Sequence, residues 1–183
     1  MPSNTTETVS IKPLNMQVLA CHIVGTAPYM QAKFSQKART MMEEKMKAGS
    51  TAGSKRTRKP RDFQEDFQQA MHASADGWSG IPASAFRNAC IDACRMVGYK
   101  MTHAKMSIFV EADGYDETDA TPLVRIIGGP PEVSVMPTRN ATGVADLRAR
   151  PLWREWAAVV RIRFDADQFT IEDVLNLLNR AGQ

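Results

Sequence analysis

Between residues 16 and 24 apolar side chains occupy both phases of an alternation: Met16, Val18, Ala20, His22 and Val24 on one, Gln17, Leu19, Cys21 and Ile23 on the other. A segment apolar on both faces predicts a central strand, and Gly25 and Pro28 end it. Residues 1–14 show no period and read as an irregular leader. From Gln31 to Ala48 the period changes: Phe34, Ala38, Met41, Met42 and Met46 recur near helical spacing among Lys and Glu, which predicts an amphipathic helix. A second helical stretch opens near Asp62, with Phe63, Phe67 and Met71 at i, i+4 and i+8, and runs out before Asp76-Gly77.

After Trp78, the segment from Gly80 to Gly98 predicts a third helix. Pro82 suits a first helical turn, where a missing N–H costs nothing, and Gly98 stops the stripe Phe86, Ala89, Cys90, Ala93, Val97. These small residues imply a helix lying close against a sheet. Met106, Ile108 and Val110 alternate with Ser107, Phe109 and Glu111 as a strand that leads into the acidic turn Asp113-Gly-Tyr-Asp-Glu117. Leu123–Ile127 is a short strand closed by Gly128-Gly-Pro-Pro131, and Val133 with Val135 suggests another. Trp156, Ala158, Val160, Ile162 and Phe164 share one face of a long strand, with Arg161 and Arg163 on the other. The last helix has Thr170 as N-cap, Asp173 placed for a capping box, Phe169 placed to staple onto Val174, the apolar face Ile171, Val174, Leu175, Leu178, and Gly182 as stop. The order of elements predicts a single α+β domain over residues 15–183. Its pattern is ferredoxin-like or RRM-like: an antiparallel sheet with helices on one face and the other face free.

Charge changes the picture more than composition does. Residues 31–61 carry a net +8 and 138–163 a net +4, on either side of a middle segment, 62–137, at −6. The stretch 49–61, small residues and five cations, reads as a mobile basic loop, and 138–151 as an extended basic excursion. Two positive blocks on a chain of net charge +3 fit a protein that grips a polyanion at one groove. Three cysteines cannot make a paired disulfide framework, and no apolar run is long enough to span a bilayer. With no basic-then-apolar signal pattern at the N-terminus, the expectation is a cytoplasmic chain without a membrane partner.

The segment Gly80-Ile-Pro-Ala-Ser-Ala-Phe-Arg-Asn-Ala89 resembles the Ile-Pro-Gly-Ser-Ser-hydrophobic-Arg/Lys-Gly/Ala lead-in to the first long helix of RAMP-superfamily proteins, the RNA-binding backbone subunits of CRISPR effector complexes. Val159 through the helix 171–181 is similar to their second strand–helix half. The resemblance covers roughly residues 15–25, 78–111 and 152–183, and the layout is also similar to that of phage proteins. Two features depart from the family. Its members continue past this helix into a glycine-rich loop and a final strand, whereas this sequence stops at Ala181-Gly-Gln183, so the last strand of the fold is expected to be missing. Either the polypeptide is a shortened form or a neighbouring chain covers the exposed edge. Ala83 also stands where the family often has Gly, which leaves open how closely a phosphate approaches that turn.

The resemblance implies single-stranded RNA held along an array of like subunits, as a homo-oligomer or part of a larger ribonucleoprotein. The residues offer matching chemistry. The helix start at Pro82-Ala-Ser84 presents free N–H groups and a hydroxyl to a phosphate, although plain structural capping needs no ligand. Arg87 points from the first turns, and Lys55, Arg56, Arg58, Lys59, Arg61, Arg139, Arg148 and Arg150 are candidates for backbone contacts. Trp153 is the freer of two tryptophans for base stacking, Trp156 being in phase with the core. Other chemistry is less marked. Cys90 and Cys94 stand one turn apart and would need Cys21, His22 or His103 to hold zinc, without a standard spacing. No base, orienter or oxyanion site accompanies the thiols. The acids Asp113, Asp116, Glu117 and Asp119 lack a calcium-loop pattern and read as a solvated turn.

The expectation is therefore a non-catalytic single-stranded RNA- or DNA-binding protein, RNA favoured, with no cofactor, metal or catalytic residue. The alternative is a protein-interaction factor that imitates a CRISPR backbone subunit and docks into a host effector complex through its open sheet edge.

Overall fold

The computed structural model describes residues 11–34, 36–47, 62–139, 143 and 145–183. Its elements are β1 (Met16–Val24), β2 (Tyr29–Met30), α1 (Gln36–Lys47), α2 (Phe63–Gln69), β3 (Gly80–Pro82), α3 (Ala83–Met96) and α4 (Met101–Ser107), followed by β4 (Ile108–Glu111), β5 (Gly114–Tyr115), β6 (Pro122–Arg125), β7 (Glu132–Arg139), β8 (Ala145–Trp153), β9 (Ala157–Asp165) and α5 (Ile171–Ala181). They make a mixed α+β structure with three antiparallel sheets, ordered β1-β9-β4, β2-β8-β7 and β3-β6-β5. A bridge between Ile127 and Ala157 joins the end of β6 to the start of β9. Among the described residues no helix is long and apolar enough to cross a membrane.

The alternation read in β9 decides the main core. Ala158, Val160, Ile162 and Phe164 are all buried on one face, and each fully buried Val, Ile or Phe contributes about 1.5–3 kcal/mol. Helices α3 and α5 cover that face with Ala83, Ile91, Ala93 and Cys94 from the first and Val174 and Leu177 from the second. The small side chains of α3 let it lie close to the sheet, as its sequence implies. A second, smaller cluster gathers Ile81, Ile126 and Trp153 with Tyr29, Met71 and Trp156 between the other two sheets.

Helix α5 begins as its sequence indicates. The Asp173 N–H donates to Thr170 Oγ1 at 3.1 Å and the Thr170 N–H donates to Asp173 Oδ2 at 3.0 Å, the reciprocal pair of a capping box. Phe169 and Val174 both enter the core. Its inner face is Val174 and Leu177, however, while Ile171 and Leu175 are exposed.

Several other elements differ from the sequence reading. β1 pairs only with β9 among the described residues and forms an edge, not a central strand. Leu19 and Ile23 pack against the core and Cys21 is buried, but Val18 and Val24 on the opposite phase are 55% and 64% exposed. Apolar residues on both phases thus mark a strand with one uncovered face. Met106 is helical and exposed, because a short helix, α4, occupies residues 101–107 and the strand starts only at Ile108. Helix α1 forms, yet Met41, Met42 and Met46 are exposed. Helix α2 is capped by Asp62, whose carboxylate accepts from the Gln64 and Glu65 N–H groups, and ends by Ala70.

Candidate nucleic-acid interface

Strands β7 and β8 pair in unbroken antiparallel register from Glu132 opposite Leu152 to Arg139 opposite Ala145. The expected excursion is therefore largely one arm of a hairpin. Side chains alternate along it, so Arg148 and Arg150 share one face, opposite Met136 and Ser134, while Arg139 lies on the other. Arg148 Nε is 3.4 Å from the Asp146 carboxylate; Arg139 is exposed near the tip. Lys55, Arg56, Arg58, Lys59 and Arg61 lie outside the described residues, and so does the relation of Lys59 to Arg148.

At the start of α3, Ser84 is exposed and Pro82 supplies no side-chain cap. Arg87 turns inward: its Nε donates to the Ile108 carbonyl at 2.8 Å and its Nη2 to the Lys105 carbonyl. It thereby ties α3 to the junction of α4 and β4. Trp153 does not fit its expected role. It is 3% exposed, packed against Tyr29 with ring centres 5.6 Å apart, because its phase of β8 faces the smaller core. Trp156 is partly buried against both clusters. Its Nε1 donates to the Ala27 carbonyl, its ring lies where a Cβ on Gly25 would be, and Gly25 is consequently the only residue type that fits that turn.

The face of the β1-β9-β4 sheet away from α3 and α5 carries the chemistry that sequence reasoning missed. Cross-strand register puts Val18, Arg163 and Phe109 in one row, and Ala20, Arg161 and Glu111 in the next. The Arg163 guanidinium lies 5.5 Å from the Phe109 ring centre, and that of Arg87 lies 5.4 Å from it. Arg161 is bound by Asp113. Beyond it, a cavity of about 330 Å³ is lined by Trp78, Asp113, Arg125, Ile127, Val159 and Arg161. Arg125 sits 5.9 Å from the centre of the Trp78 ring. Gly80 and Gly114 leave room for that ring, since a Cβ would come within 3.0 Å of it at Gly80 and within 2.8 Å at Gly114. The sequence signal available was the polar phase of β9 with an aromatic one step after Ile108; nothing local indicated that Trp78 and Arg125 would join it.

The acidic turn is solvated at Asp113 and Glu117 but not at Asp116. Asp116 is 3% exposed, with Lys33 Nζ at 2.6 Å from Oδ1 and His72 Nδ1 at 2.7 Å from Oδ2. Burial alone pushes this carboxyl up, but the Lys33 ammonium, the Thr118 N–H and the His72 ring outweigh it and hold it below the usual carboxylate range. Gln31 braces the same region, donating to the Gly80 carbonyl and accepting from the His72 N–H, both at 2.8 Å. Ligand atoms of His72, Asp116 and Asp119, one from each, lie within 4.8 Å of one another, and the Lys33 ammonium is paired with Asp116 in the same cluster. Cys21, Cys90 and Cys94 are buried, and burial pushes the Cys90 thiol up to about 11. His22 is exposed on the bare sheet face and His103 is exposed on α4.

The chain matches no protein-family model, and no curated protein matches its sequence.

Proposed function

We propose that this chain is a non-catalytic, single-stranded nucleic-acid-binding protein of RAMP type, built on a ferredoxin-like core and assembling side by side along RNA. The observation that carries the reading is the strand order β1-β9-β4, in the chain order β1, α3, β4, β9, α5, with both helices on one face and arginines beside an aromatic ring on the other. Such a half-covered sheet is a common platform for single strands. Arg148 and Arg150 on one face of the hairpin, with Arg139, Ser84 and the cations Lys55, Arg56, Arg58, Lys59 and Arg61, supply sequence-independent phosphate contacts. The raised Cys90 thiol and the closed Asp116 cluster support a binding role over thiol or metal chemistry.

The test is fluorescence anisotropy with labelled single-stranded RNA and DNA across a salt series, with mass-resolved sizing of the complexes. Log affinity is expected to fall linearly with log salt, by about 0.7 per phosphate neutralised. Failure to bind either strand at low salt overturns the reading. One observation favours a second reading, docking into an effector complex by strand addition: the outer edge of β1 has no strand partner among the described residues. Protein that purifies free of nucleic acid as a monomer favours that alternative.

A further inference from the structure

We infer that the bare face of the β1-β9-β4 sheet is a base-reading surface, with Phe109 and Trp78 as two consecutive stacking positions for the bases of one single strand. This rests on the nucleic-acid reading above and goes further, separating the residues that hold bases from those that hold phosphates.

Three observations carry it. First, both rings are presented to the same side. Phe109 stands directly across from Arg163 on β9, and Trp78 borders the cavity that Val159 and Arg161 line from the same phase of that strand. By strand rise the two positions lie roughly 7–13 Å apart along β9. Second, each ring has a guanidinium over or beside it that forms no ion pair: Arg163 at Phe109 and Arg125 at Trp78 have no carboxylate partner among the described residues. An arginine held only by an aromatic face turns to an adjoining phosphate when a base enters, and its plane also stacks on bases. Third, the charges of the face as a whole balance. Arg161, Arg163 and Arg125 stand against Asp113, which binds Arg161, Glu111, which lies across the sheet from Arg161, and Asp165 at the far end. A face this close to neutral is a poor general anion trap, whereas flat rings and exposed Val18 suit the faces of bases. The cavity beside Trp78 is only about 330 Å³, the scale of one small flat group.

The experiment compares full-length protein binding to short fluorescein-labelled oligouridylate, oligothymidylate and an abasic strand of equal length. Wild-type protein is expected to bind both base-bearing strands at least tenfold more tightly than the abasic one, and the first two distinguish RNA from DNA. Phe109→Leu, which keeps an apolar side chain without the ring, is expected to weaken binding to base-bearing strands about tenfold and leave abasic binding and the salt slope unchanged. Arg125→Gln is a second variant that leaves the core untouched, with a smaller loss of the same kind. Circular dichroism melting verifies that each variant is folded. Equal affinity of wild-type protein for base-bearing and abasic strands overturns the base-reading surface while the phosphate-binding reading stands. Unchanged base-dependent binding in folded Phe109→Leu also overturns it. No binding to any strand overturns both.

Discussion

Asp113 and Asp116 stand three residues apart in one acidic turn and meet opposite surroundings. Asp116 is enclosed and shared by Lys33 and His72, so its charge is consumed inside the fold. Asp113 remains partly open and holds Arg161 on the bare sheet face, with Arg163 and Arg125 on either side forming no ion pair among the described residues. The contrast separates a charge enclosed by the fold from charges left at its surface. A buried pair is costly to break because its partner stays buried and unneutralised, whereas an exposed arginine is free to exchange water or a ring for a phosphate.

The largest expected effect breaks the buried member. Asp116→Ala leaves Lys33 buried without a counter-charge and is expected to destabilise by about 3–5 kcal/mol in urea denaturation. Replacing both partners, Lys33→Met with Asp116→Leu, should lose clearly less than Asp116→Ala alone; an equal loss means that the enclosed charge is not the cause. Acid titration tests the same pair without mutation. The Asp116 carboxyl sits below its ordinary value in the folded chain, so between its two pKa values the unfolded chain binds more protons and stability rises with pH. The melting temperature is expected to hold above about pH 5 and to fall as pH drops through about 4 and below, and Asp116→Ala should flatten that dependence.

The hydroxyl that caps a surface helix is intermediate. Thr170→Ala removes the acceptor of the Asp173 N–H and half of the capping box of α5, and a loss of about 1 kcal/mol by urea denaturation is expected. Arg148→Ala with Arg150→Ala sharpens the other side of the comparison. Stability should change by less than about 0.5 kcal/mol, while the log–log salt slope of binding to single strands falls by about 1.4. Smallest of all, Arg154→Ala breaks an exposed pair with Glu132 and should leave the urea midpoint unchanged.

These contrasts also mark what was legible in the chain. Local rules sufficed where one element determines its own surroundings. The alternation of β9 placed Ala158, Val160, Ile162 and Phe164 inward and Arg161 and Arg163 outward. The Thr170–Asp173 spacing marked the start of α5, and Pro82 to Gly98 bracketed α3. Local rules failed where a residue's environment comes from distant segments. Trp153 reads as a freely available ring beside an arginine, but Tyr29 and Ile81 bury it. Asp116 reads as one acid in a solvated run, yet Lys33 reaches it from the other side of α1 and α2 in the chain.

By itself, then, the sequence determined the helix boundaries of α3 and α5, the two faces of β9, and the segregation of cations into two blocks, because periodicity, capping and charge are properties of neighbouring residues. Only the tertiary structure decided which aromatic rings stay accessible, which carboxylate is neutralised, and that Phe109, Arg163, Trp78 and Arg125 border one sheet face. Those outcomes depend on strand order and register, and register brings together residues whose separation in the chain no local pattern encodes.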